Sequence, residues 1–182
     1  MLRVFQQPDE RIGFIFANIE TCPLGRFFVG SFQKRKEGIV NTNTSERVIS
    51  LASNLVGNAT YKFVARLDEA PRVINCQTLI AWLYGQCGIV VPDLLSEQLY
   101  CGIPVVSLHA AKKGDWVFTK GRCYNFYDAE RARHGIGHIG LIVDQGMVLH
   151  ASFKARTVVK EPIGAFIGDQ NRFRGVYRLP YL

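Results

Sequence analysis

The hydrophobic pattern of the chain changes its period once, between residues 102 and 115, and this change limits the folds that the chain can adopt. Val48, Ala52 and Leu55 recur at helical spacing and are followed by Gly57, a residue type that commonly ends helices. Beyond residue 115 the apolar residues fall instead into short β-prone runs separated by turns. Helices that precede a run of antiparallel strands predict an α+β fold, with the helices packed on the sheet.

Two more helices are predicted before the change of period, and a hairpin after it. Asn75 is a good N-cap for a helix that ends at Gly88, and a short helix near residues 94–101 ends at Gly102. The tight turn Asp144-Gln145-Gly146 joins two strands as a hairpin. The predicted strands lie at residues 115–119, 139–143, 147–150, 157–159 and 175–179.

The first 44 residues stand apart from this pattern. Residues 12–16 and 26–32 are β-prone runs with a turn between them, which predicts a β-hairpin. Ser45 is a good N-cap for the helix that follows. A length of 182 residues suits one domain with a short additional segment. We therefore expect a β-rich extension over 1–44 and the principal domain over 45–182.

Charge and hydropathy exclude several classes of protein. The net charge is +7, which favours acidic partners such as an anionic cell wall, but no basic helix or aromatic ribonucleoprotein motif accompanies it, so nucleic-acid binding is not predicted. No apolar run approaches the roughly 20 residues that span a bilayer. The first ten residues lack the apolar segment of a Sec signal peptide. We expect a protein that is cytoplasmic as synthesised, with release or export by a non-Sec route left open.

The cysteine pattern argues against disulfides and against metal. Five cysteines form no CxxC pair, and their odd number favours free thiols. Closed zinc sites need four ligands at short paired spacings, which the chain lacks. His134 and His138 are separated by two glycines, so a helical metal-binding pair is not expected. The sequence predicts neither a metal nor a cofactor.

One constellation of residues can support nucleophilic catalysis. Cys76 directly follows the cap Asn75, so it lies in the first turn of its helix, where the helix dipole favours a thiolate. His138 and His150 each lie six residues from Asp144, so antiparallel pairing around that residue brings the two imidazoles together. A cysteine nucleophile needs such a base and a group that orients it. A buried structural cysteine and two surface histidines are the alternative interpretation.

Several segments also resemble the NlpC-type cysteine peptidases, papain-like enzymes that cut bacterial cell-wall peptides. The resemblance covers roughly residues 47–180, in the order of the family. Residues 75–80 with 88–92 resemble the helix that carries the catalytic cysteine, and residues 113–118 resemble the stretch K-P-G-D-L-V-F. Residues 138–143 with 147–152 resemble the pair H-V-G-I-Y and I-H-A-S at the same spacing, and residues 172–178 resemble the closing strand R-F-V-G-A-R-R.

The resemblance implies a function and a set of site residues. The fold is expected to be papain-like, and the activity that of a cysteine hydrolase, an amidase or endopeptidase that cleaves cell-wall peptides or other small amides through a thioester. Cys76 is implied as the nucleophile, His138 as the general base and then the general acid, and His150 as the orienting group of a Cys-His-His triad. Tyr61 stands where the family places a tyrosine that lines the site or assists the oxyanion hole. An ordinary half-buried aromatic is the alternative for Tyr61.

The chain departs from the family beside the nucleophile. Asn75, Cys76, Gln77 and Thr78 stand where the family reads Asp-Cys-Ser-Gly. Asn75 and Gln77 are therefore predicted to contribute to substrate binding in a way of their own, and the family's usual substrate is put in doubt. His134 is a further candidate for the cleft, with a solvent-exposed histidine as the alternative.

Two other functions stay open at this point. An acyltransferase or deamidase of the same fold uses the same thioester chemistry with a different acceptor. A catalytically silent binding module would keep the fold without a reactive Cys76. The bond cleaved, the role of residues 1–44 and the oligomeric state are left undecided by the sequence.

Overall fold

A computed structural model of the protein describes residues 41–120 and 129–180, and the structural findings concern these residues. The hairpin predicted within residues 12–32 lies outside them. The part of the chain that is described contains five α-helices: α1 (Asn41–Asn54), α2 (Cys76–Gly85), α3 (Leu95–Cys101), α4 (Ala129–His134) and α5 (Ile163–Ile167).

The three predicted helices are confirmed, with corrected boundaries. The first two end at Asn54 and Gly85, three residues before the predicted stops at Gly57 and Gly88. The helix α1 begins at Asn41, so Ser45 lies inside it and is not its N-cap. Val48 and Ala52 are fully buried, and their packing holds the helix to the core whichever residue begins it. The helix therefore crosses residue 44, where the extension was predicted to end; the division into two segments stays a prediction. The helices α4 and α5 were not predicted, because elements of six and five residues show too little periodicity.

The strands form a six-stranded antiparallel sheet beside a small parallel pair. The strands are β1 (Thr60–Tyr61), β2 (Val73–Ile74), β3 (Ile103–Val105), β4 (Trp116–Thr119), β5 (His138–Asp144), β6 (Met147–Ser152), β7 (Thr157–Pro162) and β8 (Phe173–Arg178). The large sheet has the order β3-β8-β4-β5-β6-β7, and β1 pairs with β2. The five strands predicted from periodicity are confirmed, and the fold is α+β as expected.

Alternate residues of the sheet face two separate clusters of apolar side chains. On one face the helices α1, α2 and α3 cover residues that include Trp116, Phe118 and Leu141. On the other face Phe166 and Ile167 of α5 pack with neighbouring strand residues. Because side chains alternate along a strand, β5 contributes to both clusters and lies between α2 and α5.

The hairpin of β5 and β6 has a different centre from the predicted one. Asp144 pairs with Met147, so the turn is formed by Gln145 and Gly146, and Gly146 has a positive φ (+70°), which glycine adopts without steric cost. The ladder continues to the pair Leu141–Leu149. Residues 138 and 150 are therefore diagonal neighbours and not directly opposite each other. An offset of two residues keeps both side chains on one face of the sheet, so the expected proximity of the two imidazoles is retained.

A buried ion pair joins two of the segments that the sequence singled out. Arg178 at the end of β8 donates from Nε to Asp115 Oδ1 at 2.7 Å and from a terminal nitrogen to Asp115 Oδ2 at 2.8 Å. Asp115 is 1% exposed and also accepts from the backbone N–H of Lys112. This bidentate pair connects the start of β4 to the end of β8 across adjacent strands.

Candidate active site

The helix that carries Cys76 begins with a reciprocal cap. Asn75 Oδ1 accepts from the backbone N–H groups of Gln77 at 3.1 Å and Thr78 at 2.9 Å, and the backbone N–H of Asn75 donates to Thr78 Oγ1 at 2.9 Å. This arrangement satisfies N–H groups of the first turn that have no partner inside the helix. The predicted cap is confirmed, and it holds Cys76 at the first position of α2.

The amide nitrogen of Asn75 has partners outside the helix. Asn75 Nδ2 donates to the carbonyl oxygens of Phe63 at 3.2 Å and Ala65 at 3.5 Å, and Asn75 is 5% exposed. An aspartate at this position would have no hydrogen to donate to those carbonyls. The asparagine thus ties the loop after β1 to the start of α2. Its proposed contact with substrate stays a prediction.

The Cys76 thiol lies in a buried environment. Burial raises the pKa of this thiol, while the positive charge of Arg131 and the backbone N–H groups of Ile139 and Gln77 act to lower it. The effect of the helix N-terminus that the sequence suggested is therefore present but outweighed, and the expected lowering of the thiol pKa is wrong in its direction. Cys87, near the other end of α2, is also a free thiol.

The position of Ile139 shows which part of the sheet lies beside the Cys76 thiol. The ladder between β5 and β6 runs from Asp144–Met147 to Leu141–Leu149, while β5 itself extends further, to His138. In this extension lies Ile139, whose backbone N–H acts to lower the pKa of the Cys76 thiol. The nucleophile candidate consequently lies near the start of β5, beside the residue that follows His138.

His138 and His150 are in direct contact. His138 Nε2 lies 2.9 Å from His150 Nδ1, and the two rings are nearly perpendicular, with an interplanar angle of 87°. Phe166 of α5 packs against both rings, with centroid distances of 5.3 Å to His138 and 4.9 Å to His150. The pair thus has an apolar ring beside it, which restricts its rotation and its access to water.

Glu161 extends the contact to a third strand, and sequence analysis missed it. Its Oε1 lies 2.9 Å from His150 Nε2. The register of β6 and β7 pairs His150 with Val159, so Glu161 is a diagonal neighbour on the same face. No motif marks this glutamate. It could have been found only by pairing the strand at 157–159 with β6 in the correct register.

Because Gly140 has no side chain, the ring of Phe166 can lie against the backbone at this position. Gly140 lies two residues after His138 on the same face of β5, and a Cβ added there would meet Val148 Cγ1 and approach the Phe166 ring to 2.9 Å. Any larger residue at this position would displace the aromatic ring from the histidines.

Tyr61 and Gln77 lie on either side of the helix start. Tyr61 pairs with Ile74, two residues before Cys76, and its ring contacts Phe153 edge to face at 5.8 Å. The backbone carbonyl of Gln77 accepts from Gln98 Nε2 at 2.9 Å. Gln77 directly follows the nucleophile candidate in α2. The contacts of Tyr61 and Gln77 with substrate stay predictions.

His134 belongs to a separate group of side chains on α4 and α3. Its Nε2 lies 2.8 Å from the Tyr100 hydroxyl, which also donates to Glu130 Oε2 in a short hydrogen bond. These contacts attach α4 to α3. The same helix carries Arg131, whose charge acts to lower the pKa of the Cys76 thiol. A place for His134 in the cleft stays a prediction.

The described ranges, 41–120 and 129–180, contain no group of three or more His, Cys, Asp or Glu side chains that could hold a metal ion. None of the helices in these ranges is long and apolar enough to cross a bilayer.

The comparisons with known proteins agree with this geometry. The fold is similar to that of NlpC1 from Trichomonas vaginalis, with a TM-score of 0.60 and 18% identity over 81% of this chain and 48% of that protein. It is also similar to the peptidoglycan hydrolase RipB from Mycobacterium tuberculosis (TM-score 0.56, 21% identity, 75% of this chain and 65% of that one). RipD from the same organism, described as a non-catalytic, peptidoglycan-binding protein, matches at a TM-score of 0.55 and 16% identity over 81% and 99%.

These likenesses place the α+β architecture among papain-like folds. The chain spans about half the length of the two Trichomonas proteins that it matches. No curated protein matches it in sequence. The sequence profile of the NlpC/P60 family matches residues 59–172, which include Tyr61, Cys76, His138, His150 and Glu161. Because this match extends over more than half of the sequence, the chain belongs to the NlpC/P60 family.

Proposed function

We propose that the protein is a cysteine hydrolase that cleaves amide bonds of cell-wall peptides, with Cys76, His138 and His150 as its triad. The observation that carries the proposal is the contact of His138 Nε2 with His150 Nδ1 at 2.9 Å. The next residue of the strand is Ile139, whose backbone N–H acts to lower the pKa of the Cys76 thiol. These positions support the assignment of a nucleophile, a base and an orienting group near the start of β5.

The reaction follows from these positions. His138 takes the proton of the Cys76 thiol while the sulfur attacks the carbonyl carbon of the substrate amide. The backbone N–H of Cys76, at the start of α2, stabilises the developing oxyanion. His138 then gives its proton to the leaving amine, and a thioester is left. Water, deprotonated by His138, attacks the thioester, and the carboxylic acid and the free thiol are released.

The resting state of the nucleophile is the thiol. Burial raises the pKa of Cys76, so its proton is still bound at neutral pH. In the proposed reaction, proton transfer from the Cys76 thiol to His138 accompanies the attack of the sulfur. The Arg131 charge and the Ile139 N–H favour the thiolate as it forms.

Cell-wall peptides are the proposed substrate class. RipB, a structural neighbour, is described as a peptidoglycan hydrolase, and the match of the family profile includes the whole proposed triad. The net charge of +7 favours binding to an anionic wall polymer.

The test is direct digestion of isolated peptidoglycan and of soluble muropeptides. The products are identified by mass spectrometry, and a newly formed amine and carboxylate define the bond that is cut. The wild-type protein is expected to release peptides, and Cys76→Ala to release none. Cys87→Ala is the matched control, since Cys87 is a free thiol beyond the opposite end of α2. Equal turnover by the wild type and Cys76→Ala would overturn the proposal.

Binding without cleavage is the second candidate. Burial raises the pKa of the Cys76 thiol, which favours this candidate, as does the likeness to the non-catalytic RipD. A binding module would sediment with peptidoglycan equally well as wild type and as Cys76→Ala, with no soluble product from either.

Transfer of the acyl group to an added amine rather than to water would instead identify an acyltransferase.

A further inference from the structure

We infer that Glu161 is a positioning residue that selects the tautomers of both histidines, so that His138 presents an unprotonated Nδ1 to the thiol. The inference rests on the proposed function, because it concerns the base of that reaction. It starts from one contact, Glu161 Oε1 to His150 Nε2 at 2.9 Å.

The carboxylate determines the protonation of the nearer ring. A carboxylate offers only acceptor atoms, so the hydrogen between Glu161 and His150 belongs to His150 Nε2. A neutral imidazole carries one N–H. His150 Nδ1 is therefore an acceptor.

The same argument applies to the next ring. His138 Nε2 lies 2.9 Å from His150 Nδ1, and an acceptor at Nδ1 requires His138 Nε2 to be the donor. The lone pair of neutral His138 is then on Nδ1, the ring nitrogen that does not face His150. With the opposite tautomers, Nδ1 would carry a hydrogen, and His138 could not accept the thiol proton there.

The surroundings of Glu161, His150 and His138 strengthen the effect of the carboxylate on the two tautomers. His150 is 6% exposed, and the Phe166 ring lies 4.9 Å from it, so the hydrogen bonds lie in a region of low dielectric. The side chain of Glu161 is 35% exposed, which keeps the carboxylate hydrated at its outer edge. An ion pair exposed to solvent would have little effect on the tautomer of either partner. The buried His150 imidazole has instead lost the water molecules that could serve as alternative hydrogen-bond partners.

The geometry arises from two diagonal steps across the sheet. Residues 138 and 150 are diagonal on β5 and β6, and residues 150 and 161 are diagonal on β6 and β7. All three side chains therefore lie on one face and meet end to end. As His138 becomes positively charged during catalysis, the carboxylate at the far end of this chain stabilises that charge.

The experiment measures the tautomers without using activity. The ring nitrogens of His138 and His150 are assigned by two-dimensional ¹H–¹⁵N correlation spectra, in full-length protein carrying Cys76→Ala and in the same protein with an added change at residue 161. With Glu161, both rings are expected as Nε2–H tautomers. With Glu161→Ala, both are expected as mixtures. With Glu161→Gln, whose Oε1 still accepts, the Nε2–H forms are expected to persist. Lys160→Gln is the matched control on the same strand.

Kinetics on the cleaved muropeptide provide the second readout. Glu161→Ala is expected to lower kcat by about 10- to 100-fold with little change in KM, and Glu161→Gln to restore most of it. A His138 ring protonated at Nδ1 with Glu161 present, or unchanged tautomers in Glu161→Ala, would overturn the inference. If Glu161→Ala does not fold, the spectra of the Glu161 protein and of Glu161→Gln still decide it. Absence of turnover by the wild type would count against the proposed function alone, because the spectra do not depend on it.

Discussion

The side-chain amide of Asn75 donates to the carbonyl oxygen of Phe63 at 3.2 Å, across a gap of twelve residues. The same side chain caps α2 through its oxygen. One residue thus joins the loop after β1 to the helix start that carries Cys76. This relationship gives a structural reason for an asparagine at the position where the motif that the sequence resembles reads aspartate.

Replacing Asn75 by Asp is expected to lower the free energy of unfolding. The added negative charge is also expected to make the neighbouring Cys76 thiol less acidic. The carboxylate still caps the helix, but it faces the carbonyls of Phe63 and Ala65 without a hydrogen to donate. The cost of these lost bonds is about 1–3 kcal/mol in the free energy of unfolding. Urea denaturation measures it. Asn58→Asp is the control, since Asn58 donates to a carbonyl at an exposed site. Equal stability of Asn75→Asp and the wild type would contradict the assigned bonds.

Alkylation of Cys76 is expected to be slow below pH 7 and to rise steadily with pH. Because burial raises the pKa of the thiol above its ordinary value, the thiolate fraction at a given pH is smaller than in a free cysteine. Peptide-mapped alkylation from pH 5 to 9 measures this, with the other cysteines as references.

The charge of Arg131 is expected to contribute to that profile. Arg131→Ala removes a charge that lowers the thiol pKa, so alkylation of Cys76 should slow further at every pH. Arg133→Ala, on the same helix with a side chain that is 65% exposed, should leave the rate unchanged. A fast reaction of Cys76 below pH 7, or no difference between the two variants, would contradict this view of the site.

Gly140→Ala is expected to destabilise the protein by about 1–3 kcal/mol and to reduce activity more than the stability loss explains. The added methyl group meets Val148 and the Phe166 ring, and displacement of that ring uncovers His138 and His150. Thermal unfolding and turnover are measured together. Gly164→Ala in α5 is the control, because nothing lies within 4 Å of its added Cβ. Tolerance of both changes would show that the Phe166 contact is dispensable.

Arg178→Ala is expected to lower the free energy of unfolding by about 3–5 kcal/mol, because it leaves the carboxylate of Asp115 buried without its charged partner. The partial exposure of the Arg178 side chain, 32%, places the effect at the lower end of that range. Arg66→Ala breaks a pair with Asp68 that is exposed on both sides and should cost less than about 1 kcal/mol. Similar losses in the two variants, measured by urea denaturation, would contradict the distinction.

The helices, the strands and the contact between the two histidines were predicted from local signals in the sequence. The cap at Asn75, the helical spacing of Val48 and Ala52, and the alternation in β5 depend on neighbours a few residues away, so they can be read from the sequence. The centre of the hairpin was misplaced. The predicted proximity of His138 and His150 is nevertheless confirmed, because an offset of two residues keeps their side chains on the same face of the sheet.

What the sequence determined by itself was the order and type of the main elements, the helix start at Cys76 and the identity of the three triad candidates. The tertiary structure decided how these groups are tuned. The Glu161 contact depends on the register of a third strand, the charge of Arg131 reaches Cys76 from α4, and the Phe166 ring is held beside the histidines by packing against Gly140. Burial likewise reversed the expected direction of the thiol pKa. Hydrogen-bond partners across strands, desolvation and close packing depend on residues distant in the chain, and no local pattern encodes them.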